Sequence, residues 1–445
     1  MNRGFLMAVA FSAFSAGAVQ VDKVVVRQMW PWDGRVVIDY RLSGVGGSLY
    51  DMDVTVRRKG TAVDVLPSSF SGDLYDVADG DRRIVWDPAV SGLEPSQRAE
   101  DYSFELTPRT PRSHKYLVLD LAAGAADGAT YPSYFLDDEP EGGWTDEYKT
   151  TKLVMRRCEP GTFTMGLSAD ENKGKDGERH EVTFTNFFYM AVFETTVRQY
   201  ELLTGTNIII GVTITTNVVD EAKVVTTNYQ TDAAHPMYGA RGVRFRNIRG
   251  SSGIDWPNNK AVDAGSLIAN LRTRARLPPA IPAGWVLDLP TEAQWEYACR
   301  AGTTTAYHNG KNMAETGDTD NDLNLTDISW NRGNSDWARH DVGTKNANNW
   351  GLYDMAGSVC EYVLEPSYNG NSVPSGVEPL AGADISNARN GRLCRRLRGG
   401  SYISHRLRCR SADRWEVWNC DTATVAYDLG NDLCVGFRLC LHYVP

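Results

Sequence analysis

From about residue 151 to its end, the sequence contains almost no long periodic segment, which restricts this half to a loop-rich fold. Short strings rich in glycine, tryptophan and asparagine follow one another, and residues 289–303 alone clearly predict a helix. Thr291 is a suitable N-cap, Gln294 completes a capping box, and Gly302 is the expected C-cap. A domain of this kind needs cross-links, and disulfides or bound calcium are the usual ones.

A second helix is predicted over residues 262–276, with Asp263 as its cap and an apolar face that includes Leu267 and Leu271. The apolar positions of both helices fall mostly on one face, as expected for helices that pack on a core. The remaining segments of residues 151–445 are expected to form loops and short strands.

Residues 19–108 have the alternating pattern of a β-rich module instead. The strings VDKVVVRQMW and RVVIDYRL flank the turn PWDG, where Gly34 can adopt a positive φ, and they predict a β-hairpin. Further strand patterns separated by turn signals favour an antiparallel β-sandwich. Residues 109–150 are rich in Pro, Gly and Asp and are predicted to be a linker, although YLVLDL within them is compatible with one more strand.

Residues 1–18 have the composition of a secretory signal peptide. Arg3 supplies a positive charge, residues 5–14 form a short apolar run, and the small residues AGA before residue 19 fit a cleavage site. The protein is therefore expected to be secreted or periplasmic. No later segment reaches the roughly 18 consecutive apolar residues of a membrane-spanning helix, so no membrane span is expected. The net charge of −10 argues against a nucleic-acid partner.

The eight cysteines form an even set, and in an oxidising compartment such a set favours disulfides. No CxxC pair, HxH pair or HExxH string is present, so zinc sites and histidine-built metal sites are not expected. Cys409 lies among several arginines, whose positive charge favours the thiolate form. It is compatible with a reactive nucleophile, with one half of a disulfide, or with a buried structural residue.

Seven short strings follow one another in the second half. They are PGTFTMG (160–166), FYMAVFETTVRQY (188–200), LPTEAQWEYACRAGTTTA (289–306), NNWGLYDMAGSVCEY (348–362), RLRGGSY (396–402), CRSADR (409–414) and VGFRL (435–439). Together and in this order they resemble the formylglycine-generating enzyme family, also called sulfatase-modifying factor domains. The resemblance implies a multidomain chain whose second domain, residues 151–445, has an α+β loop-rich fold related to C-type lectins.

Enzymes of that family oxidise a cysteine of sulfatases to formylglycine, using copper held by two active-site cysteines. The resemblance places the active site at Ser401, Ser404 and His405, with Ser404 at the position of the first copper-binding cysteine. Because Cu(I) prefers soft thiolate ligands, copper is not expected to bind here, and the oxidase reaction is not expected to be retained.

The resemblance also implies a disulfide between Cys299 in the predicted helix and Cys409, provided that residues 408–412 form a strand. In that case Cys409 replaces a partner located two residues further on, because alternate residues of a strand share a face. Cys420 and Cys434 flank a short loop and are a further candidate pair, although the connectivity cannot be deduced from the sequence.

Calcium is the cofactor that the resemblance implies for two loops. The first site corresponds to Asp322, Asn324 and Leu325, in an acidic stretch that lacks the glycine and glutamate of an EF-hand. The second site corresponds to Ser358 and Glu361, where serine replaces the asparagine of the family string. A solvated acidic loop without an ion is the alternative at the first site.

Three functions are compatible with these residues. The first is a pseudoenzyme or binding module that holds a peptide, protein or glycan ligand on the lectin-like scaffold. The second is a family oxidase with altered, metal-dependent chemistry, and the third is a structural component of the cell surface. The serine at position 404 favours the first function over the second.

Overall fold

The computed structural model describes residues 19–28, 34–65, 67–93, 101–111, 113–124, 129–167, 179–219, 222–250, 261–314, 320, 322–366, 376–377, 395–417 and 434–443. The predicted signal peptide, residues 1–18, lies outside these residues, and so do Cys394 and Cys420. Within the described part of the chain, no helix is long and apolar enough to cross a membrane.

The secondary structure consists mainly of short strands. In chain order the strands are β1 (Gln20–Gln28), β2 (Val36–Ser43), β3 (Asp51–Arg58), β4 (Thr61–Ala62), β5 (Phe70–Gly72), β6 (Gly80–Trp86), β7 (Tyr102–Arg109), β8 (Tyr116–Asp120), β9 (Tyr131–Leu136), β10 (Lys152–Cys158), β11 (Gly161–Met165), β12 (His180–Phe184), β13 (Phe188–Ala191), β14 (Ile209–Val219), β15 (Ala222–Thr231), β16 (Ala275–Arg276), β17 (Trp285–Asp288), β18 (Cys360–Pro366), β19 (Gly376–Val377), β20 (Arg395–Arg398), β21 (Trp415–Val417), β22 (Val435–Gly436) and β23 (Cys440–Tyr443). The α-helices are α1 (Glu147–Thr150), α2 (Val197–Thr204), α3 (Phe245–Arg249), α4 (Leu267–Arg274) and α5 (Glu292–Arg300). A 3₁₀ helix spans Arg406–Cys409.

The chain divides into two compact units. The first contains residues 1–139 and 274–284, and the second contains residues 140–273 and 285–445. The predicted linker, residues 109–150, contains β8 and β9, so the first unit extends further along the chain than the predicted module. The reason is the apolar run YLVLDL, which is buried along β8 and forms the extra strand that its composition allows.

The first unit is built from antiparallel strands. The predicted hairpin strands are confirmed, because β1 and β2 pair antiparallel; most of the predicted PWDG turn lies outside the described residues. One sheet has the order β1-β2-β6-β5, a second has the order β4-β3-β7, and β8 pairs with β9. The buried ring of Trp86 on β6 contacts Tyr102 and Phe104 on β7, with ring centroids 5.1 and 5.4 Å apart. The unit is therefore β-rich as predicted, and its sandwich arrangement stays a prediction.

The second unit combines several small sheets with helix α5. Strands β10, β13, β23 and β17 lie side by side, and β21-β20-β18-β22 form a separate four-stranded sheet. The helix predicted over residues 289–303 is confirmed as α5, and all nine of its residues are buried. Its capping box joins Thr291 and Gln294 as predicted, whereas the left-handed C-cap is Ala301 rather than Gly302.

Helix α4 begins later than the sequence pattern suggests. It starts at Leu267, and the Ser266 hydroxyl accepts a hydrogen bond from the Ala269 N–H at 3.3 Å. The predicted cap, Asp263, instead accepts the Ser266 N–H with its carbonyl oxygen, in a turn where Gly265 has a φ of 82°. The glycine turn therefore moves the start of the helix by one turn, and Ser266 takes over the cap.

Two buried carboxylates hold helix α5 against its surroundings. Glu296 accepts hydrogen bonds from Arg398 at 2.7 Å and from Arg300 at 2.9 Å. Glu361 on β18 is bound by Arg438 through contacts of 2.7 to 2.9 Å and by the Trp295 indole N–H at 2.6 Å. Burial raises the pKa of Glu296, but the arginines around it outweigh burial and lower that pKa below its usual range. We refer to Glu296, Arg398, Glu361 and Arg438 as the buried ion-pair frame.

Candidate functional site

The candidate site lies in the loop that follows β20. This strand ends at Arg398, and Gly399 and Gly400 then adopt φ angles of 86° and 71°. A Cβ atom on Gly400 would lie 2.8 Å from the carbonyl oxygen of Arg408, so a larger residue does not fit. The glycine pair therefore turns the chain sharply and brings residues 401–405 next to β18.

Ser401 and Ser404 form a closed pair inside this loop. Their hydroxyl oxygens are 3.0 Å apart, and the Ser401 N–H also donates to the Ser404 hydroxyl at 3.0 Å. The Ser404 N–H donates to the Ser401 carbonyl oxygen at 2.9 Å, and both side chains are buried. We call these two residues the serine pair. Where the resemblance places a copper-binding cysteine, the structure has a hydroxyl that is already hydrogen-bonded.

Two thiols lie directly behind the serine pair. The Cys360 thiol is hydrogen-bonded to the Ser401 hydroxyl and to the Cys434 thiol. The contact with Cys434 and burial together raise the pKa of Cys360 well above its usual value, so the thiol is neutral. Sequence reasoning did not assign Cys360 any role. The signal that could have found it is its place in the sequence, directly before Glu361 of the second implied calcium site.

Cys409 is a buried structural thiol in this structure. Its sulfur lies 3.9 Å from the carbonyl oxygen of His405 and is hydrogen-bonded to the Ser329 hydroxyl. Burial raises the pKa of Cys409 to about 12, which disfavours the thiolate that a nucleophile needs. The arginines near it in sequence are paired with carboxylates, as Arg410 is with Asp413 at 3.2 Å.

Cys299 and Cys409 are free thiols in this structure, as are the other four described cysteines, and the disulfide implied between them stays a prediction. Its structural premise is not met, because residues 406–409 form a 3₁₀ helix and not a strand. The other predicted pair cannot be compared with the structure, because Cys420 lies outside the described residues.

An exposed aromatic and basic surface borders the serine pair. The Arg332 N–H donates to the Ser404 carbonyl oxygen at 3.0 Å, and the Arg332 guanidinium lies 5.0 Å from the ring centroid of Trp337. Trp337 is 62% exposed and has a φ of 60°, in the left-handed region. Burial and nearby Arg408 lower the pKa of the half-buried His405, which keeps it neutral at pH 7.

A second aromatic group continues this surface. The rings of Trp330 and His340 stack with centroids 3.6 Å apart, and the Lys345 ammonium lies 3.8 Å from the Trp330 centroid. His340 contacts the carbonyl oxygen of Ser335 at 3.2 Å, and the Ser335 hydroxyl donates to the Tyr402 carbonyl oxygen inside the site loop. We call this surface the aromatic–cationic rim; it consists of Trp330, Arg332, Trp337, His340 and Lys345. These residues were not predicted as a site from the sequence, because their contacts depend on the conformation of the loop that contains them.

The structure brings the residues of the first implied calcium site together, but their oxygens are already in use. Asp322 accepts hydrogen bonds from the Tyr307 hydroxyl at 2.9 Å, from the Ala314 N–H at 3.1 Å and from the Asn324 N–H at 3.0 Å. Leu325 is buried in an apolar cluster with Ile328, Cys409 and others. The donors around Asp322 do not fit a calcium ion, which needs oxygen ligands. Calcium binding here stays a prediction.

The second implied calcium site is built in the same closed way. The Ser358 hydroxyl donates to Glu194 at 2.7 Å, and the Val359 N–H donates to the other oxygen of Glu194 at 2.9 Å. Burial, followed by the neighbouring Asp354 and Glu361, raises the pKa of Glu194 well above its usual range. Glu361 itself belongs to the buried ion-pair frame. Neither predicted ligand therefore offers an oxygen without a partner to an ion.

Comparison with known proteins adds to this geometry. The family model described as sulfatase-modifying factor enzyme 1-like domain matches residues 145–430. The formylglycine-generating enzyme of Mycobacterium tuberculosis (strain ATCC 25618 / H37Rv) is 32% identical over 124 residues, which cover 26% of this chain and 40% of that enzyme. The aligned part thus spans less than half the length of that relative.

Two solved structures are also similar to this chain. PvdO from Pseudomonas aeruginosa has a TM-score of 0.43 and 20% sequence identity, over 65% of this chain and 94% of that chain. Treponema denticola variable protein 1 has a TM-score of 0.40 and 19% identity, over 66% of this chain and 96% of that chain.

Proposed function

The chain belongs to the sulfatase-modifying factor family, and from this premise we propose that its second unit is a binding module or pseudoenzyme. In this proposal the two-cysteine copper site is lost, and the site loop holds a peptide or glycan instead of oxidising a cysteine. We further propose that the chain is exported to the periplasm or the medium, on the basis of the signal-peptide composition of residues 1–18.

The observation that carries the proposal is the serine pair. A Cu(I) centre needs soft, charged sulfur ligands, whereas a hydroxyl is a hard and neutral donor at pH 7. The hydroxyls of Ser401 and Ser404 also bind each other at 3.0 Å, so accommodating a metal would first break this contact. Ser404, at the position that the resemblance gives to the first copper-binding cysteine, therefore does not fit copper, and no oxidation step is assigned to it.

The aromatic–cationic rim supports the binding part of the proposal. Trp337 is 62% exposed and lies beside the Arg332 guanidinium, so an aromatic face and a cation are presented to solvent together. Trp337 can stack on a sugar ring or on an apolar side chain of a peptide. Arg332 and Lys345 supply N–H donors beside it for hydroxyl, carbonyl or carboxylate oxygens of the same ligand.

A binding screen with matched variants tests this proposal. The full chain without residues 1–18 is applied to glycan and peptide arrays, and the strongest ligand is then titrated in solution. Trp337→Ala is expected to weaken that binding by tenfold or more, as expected for an aromatic anchor. Leu323→Ala is the matched control, because Leu323 is also a large apolar residue and is 80% exposed. Equal affinities for both variants would contradict the assignment of the rim.

A further inference from the structure

The backbone geometry places Cys360 and Cys434 beside each other. Strands β18 and β22 pair in parallel, with Cys360 opposite Val435, and the Cys360 N–H donates to the Cys434 carbonyl oxygen at 2.8 Å. Cys434 precedes Val435, so its Cα lies diagonally across the ladder from that of Cys360, roughly 6 Å away for strands about 4.8 Å apart; this is within the Cα separation of about 4.4–6.8 Å that a disulfide needs. The two backbones are thus held at a bonding distance by the ladder, whatever the oxidation state of the thiols.

The side chains use this proximity. The Cys360 and Cys434 thiols are hydrogen-bonded to each other, and both residues are buried. Cys299 and Cys409, in contrast, are in contact with oxygen atoms of Met355 and His405, at 3.7 and 3.9 Å from their sulfurs. Among the six described cysteines, the thiol-to-thiol hydrogen bond found in the structure is the one between Cys360 and Cys434.

We propose that Cys360 and Cys434 form a disulfide when the chain folds in an oxidising compartment. The oxidant is a disulfide, carried by an exported thiol oxidase or by a small molecule. One cysteine thiolate attacks that disulfide and releases a thiol, and the second cysteine then displaces the other thiol from the mixed disulfide. Two S–H bonds are lost and one S–S bond forms, while two protons and two electrons pass to the oxidant, which becomes two thiols.

Burial decides when this reaction takes place. In the folded chain the Cys360 thiol is shielded and holds its proton tightly, so exchange is slow once β22 has paired with β18. The bond therefore forms while the two strands are still accessible, and afterwards the fold protects it from reductants. It ties β18 to the segment that carries Arg438, one partner of the buried ion-pair frame, and it lies directly behind Ser401.

Disulfide mapping of the unmodified full chain is the primary test. Protein exported by its own signal is treated with an alkylating reagent under denaturing conditions, digested without reduction and analysed by mass spectrometry. The expected result is a linked peptide pair that contains Cys360 and Cys434, with alkylated thiols at Cys299 and Cys409. Alkylation of both Cys360 and Cys434, or a link from Cys434 to Cys420, would overturn the proposal. So would one bound copper or zinc ion per chain that protects both thiols.

Thermal unfolding of two double variants provides the second readout. Adding a reductant to the oxidised wild type is expected to lower Tm by roughly 5–10 °C. The variant with Cys360→Ser and Cys434→Ser is expected to lose this response to the reductant. The matched control, with Cys299→Ser and Cys409→Ser, is expected to keep it. A response that persists in the first variant, or disappears in the control, would assign the cross-link to other cysteines.

Discussion

The buried ion-pair frame and the serine pair lie in the same unit and share the string RLRGGSY, which contains Arg398 and Ser401, but they differ in what they retain. In the frame, each carboxylate is bound by its arginine at 2.7 Å, so the strings specify a complete set of contacts. In the site loop, the glycines still turn the chain, but position 404 holds a hydroxyl. The comparison shows that the contacts that stabilise the fold can be complete while the residue at the position of the copper-binding cysteine is different.

The largest expected effect comes from breaking the frame. Arg438→Met leaves the Glu361 carboxylate buried with only the Trp295 N–H as a strong donor, and should lower the free energy of unfolding by about 3–5 kcal/mol. Urea denaturation followed by tryptophan fluorescence measures this change. Arg41→Met is the control, because its contact with Asp81 is largely exposed and is worth at most about 1 kcal/mol. Similar losses in both variants would show that the frame does not hold the unit together.

The second prediction concerns a carboxyl next to the frame that has no arginine bound to it directly. Glu365 accepts the Glu292 N–H at 2.7 Å, and burial followed by repulsion from Glu292 raises its pKa to about 8. Because the folded-state pKa lies above the usual value of 4.5, the protonated Glu365 carboxyl makes a contribution to the free energy of unfolding that depends on pH. This contribution is fully present below about pH 4.5 and is lost as the pH rises through about 8.

Glu365→Gln removes that ionisation. Relative to the wild type, the variant should gain on the order of 2 kcal/mol in unfolding free energy between about pH 5 and about pH 8. Chemical denaturation of both proteins across this range measures the difference. Glu105→Gln serves as the control, since the Glu105 side chain is 56% exposed. A difference between variant and wild type that does not change with pH would contradict the role of burial at Glu365.

A smaller effect is expected at the serine pair. Ser404→Ala leaves the Ser401 N–H and hydroxyl without their partner in a buried site, and should cost about 1–2 kcal/mol of unfolding free energy. The copper content of the purified protein should not change. Thr162→Val is the control, because it removes one hydroxyl of an exposed pair, Thr162 and Thr183, that are 2.8 Å apart. If Ser404→Ala is no more costly than this control, the closed serine pair is not a stabilising element.

The smallest effect is expected for calcium. The oxygens of Asp322 are used by the Tyr307 hydroxyl and by two backbone N–H groups, so millimolar calcium should shift Tm by less than about 1 °C relative to a chelator. A thermal scan of the full chain in both conditions measures this shift. An increase of several degrees would show that an ion binds and that the contacts of Asp322 rearrange around it.

Local signals predicted the local structures well. Helix α5 follows from its capping box and apolar face, because both act within one or two turns of the chain. The β1–β2 hairpin follows in the same way from alternation around a turn. The start of α4 was displaced by a single glycine turn, whose effect on the helix is not visible in the periodicity.

Which cysteines lie next to each other could not be predicted, because this depends on contacts between segments that are distant in the sequence. Residues 406–409 form a 3₁₀ helix, and the Cys409 thiol at its end is hydrogen-bonded to Ser329 and to the backbone of Gly357, which are far away in the sequence. Cys360 meets Cys434 only through the parallel pairing of β18 with β22. Trp337 joins Arg332 only through loop geometry, including a positive φ that a tryptophan seldom adopts.

The most direct test of the central claim is a turnover assay on a sulfatase-derived peptide that contains the sequence Cys-x-Pro-x-Arg. Purified chain is incubated with this peptide, oxygen, a thiol reductant and added copper, and mass spectrometry follows the conversion of cysteine to the aldehyde. With the Ser404 hydroxyl at the position of the first copper-binding cysteine, no aldehyde above the level of the protein-free control is expected. Copper-dependent formation of the aldehyde by the wild-type chain would contradict this account.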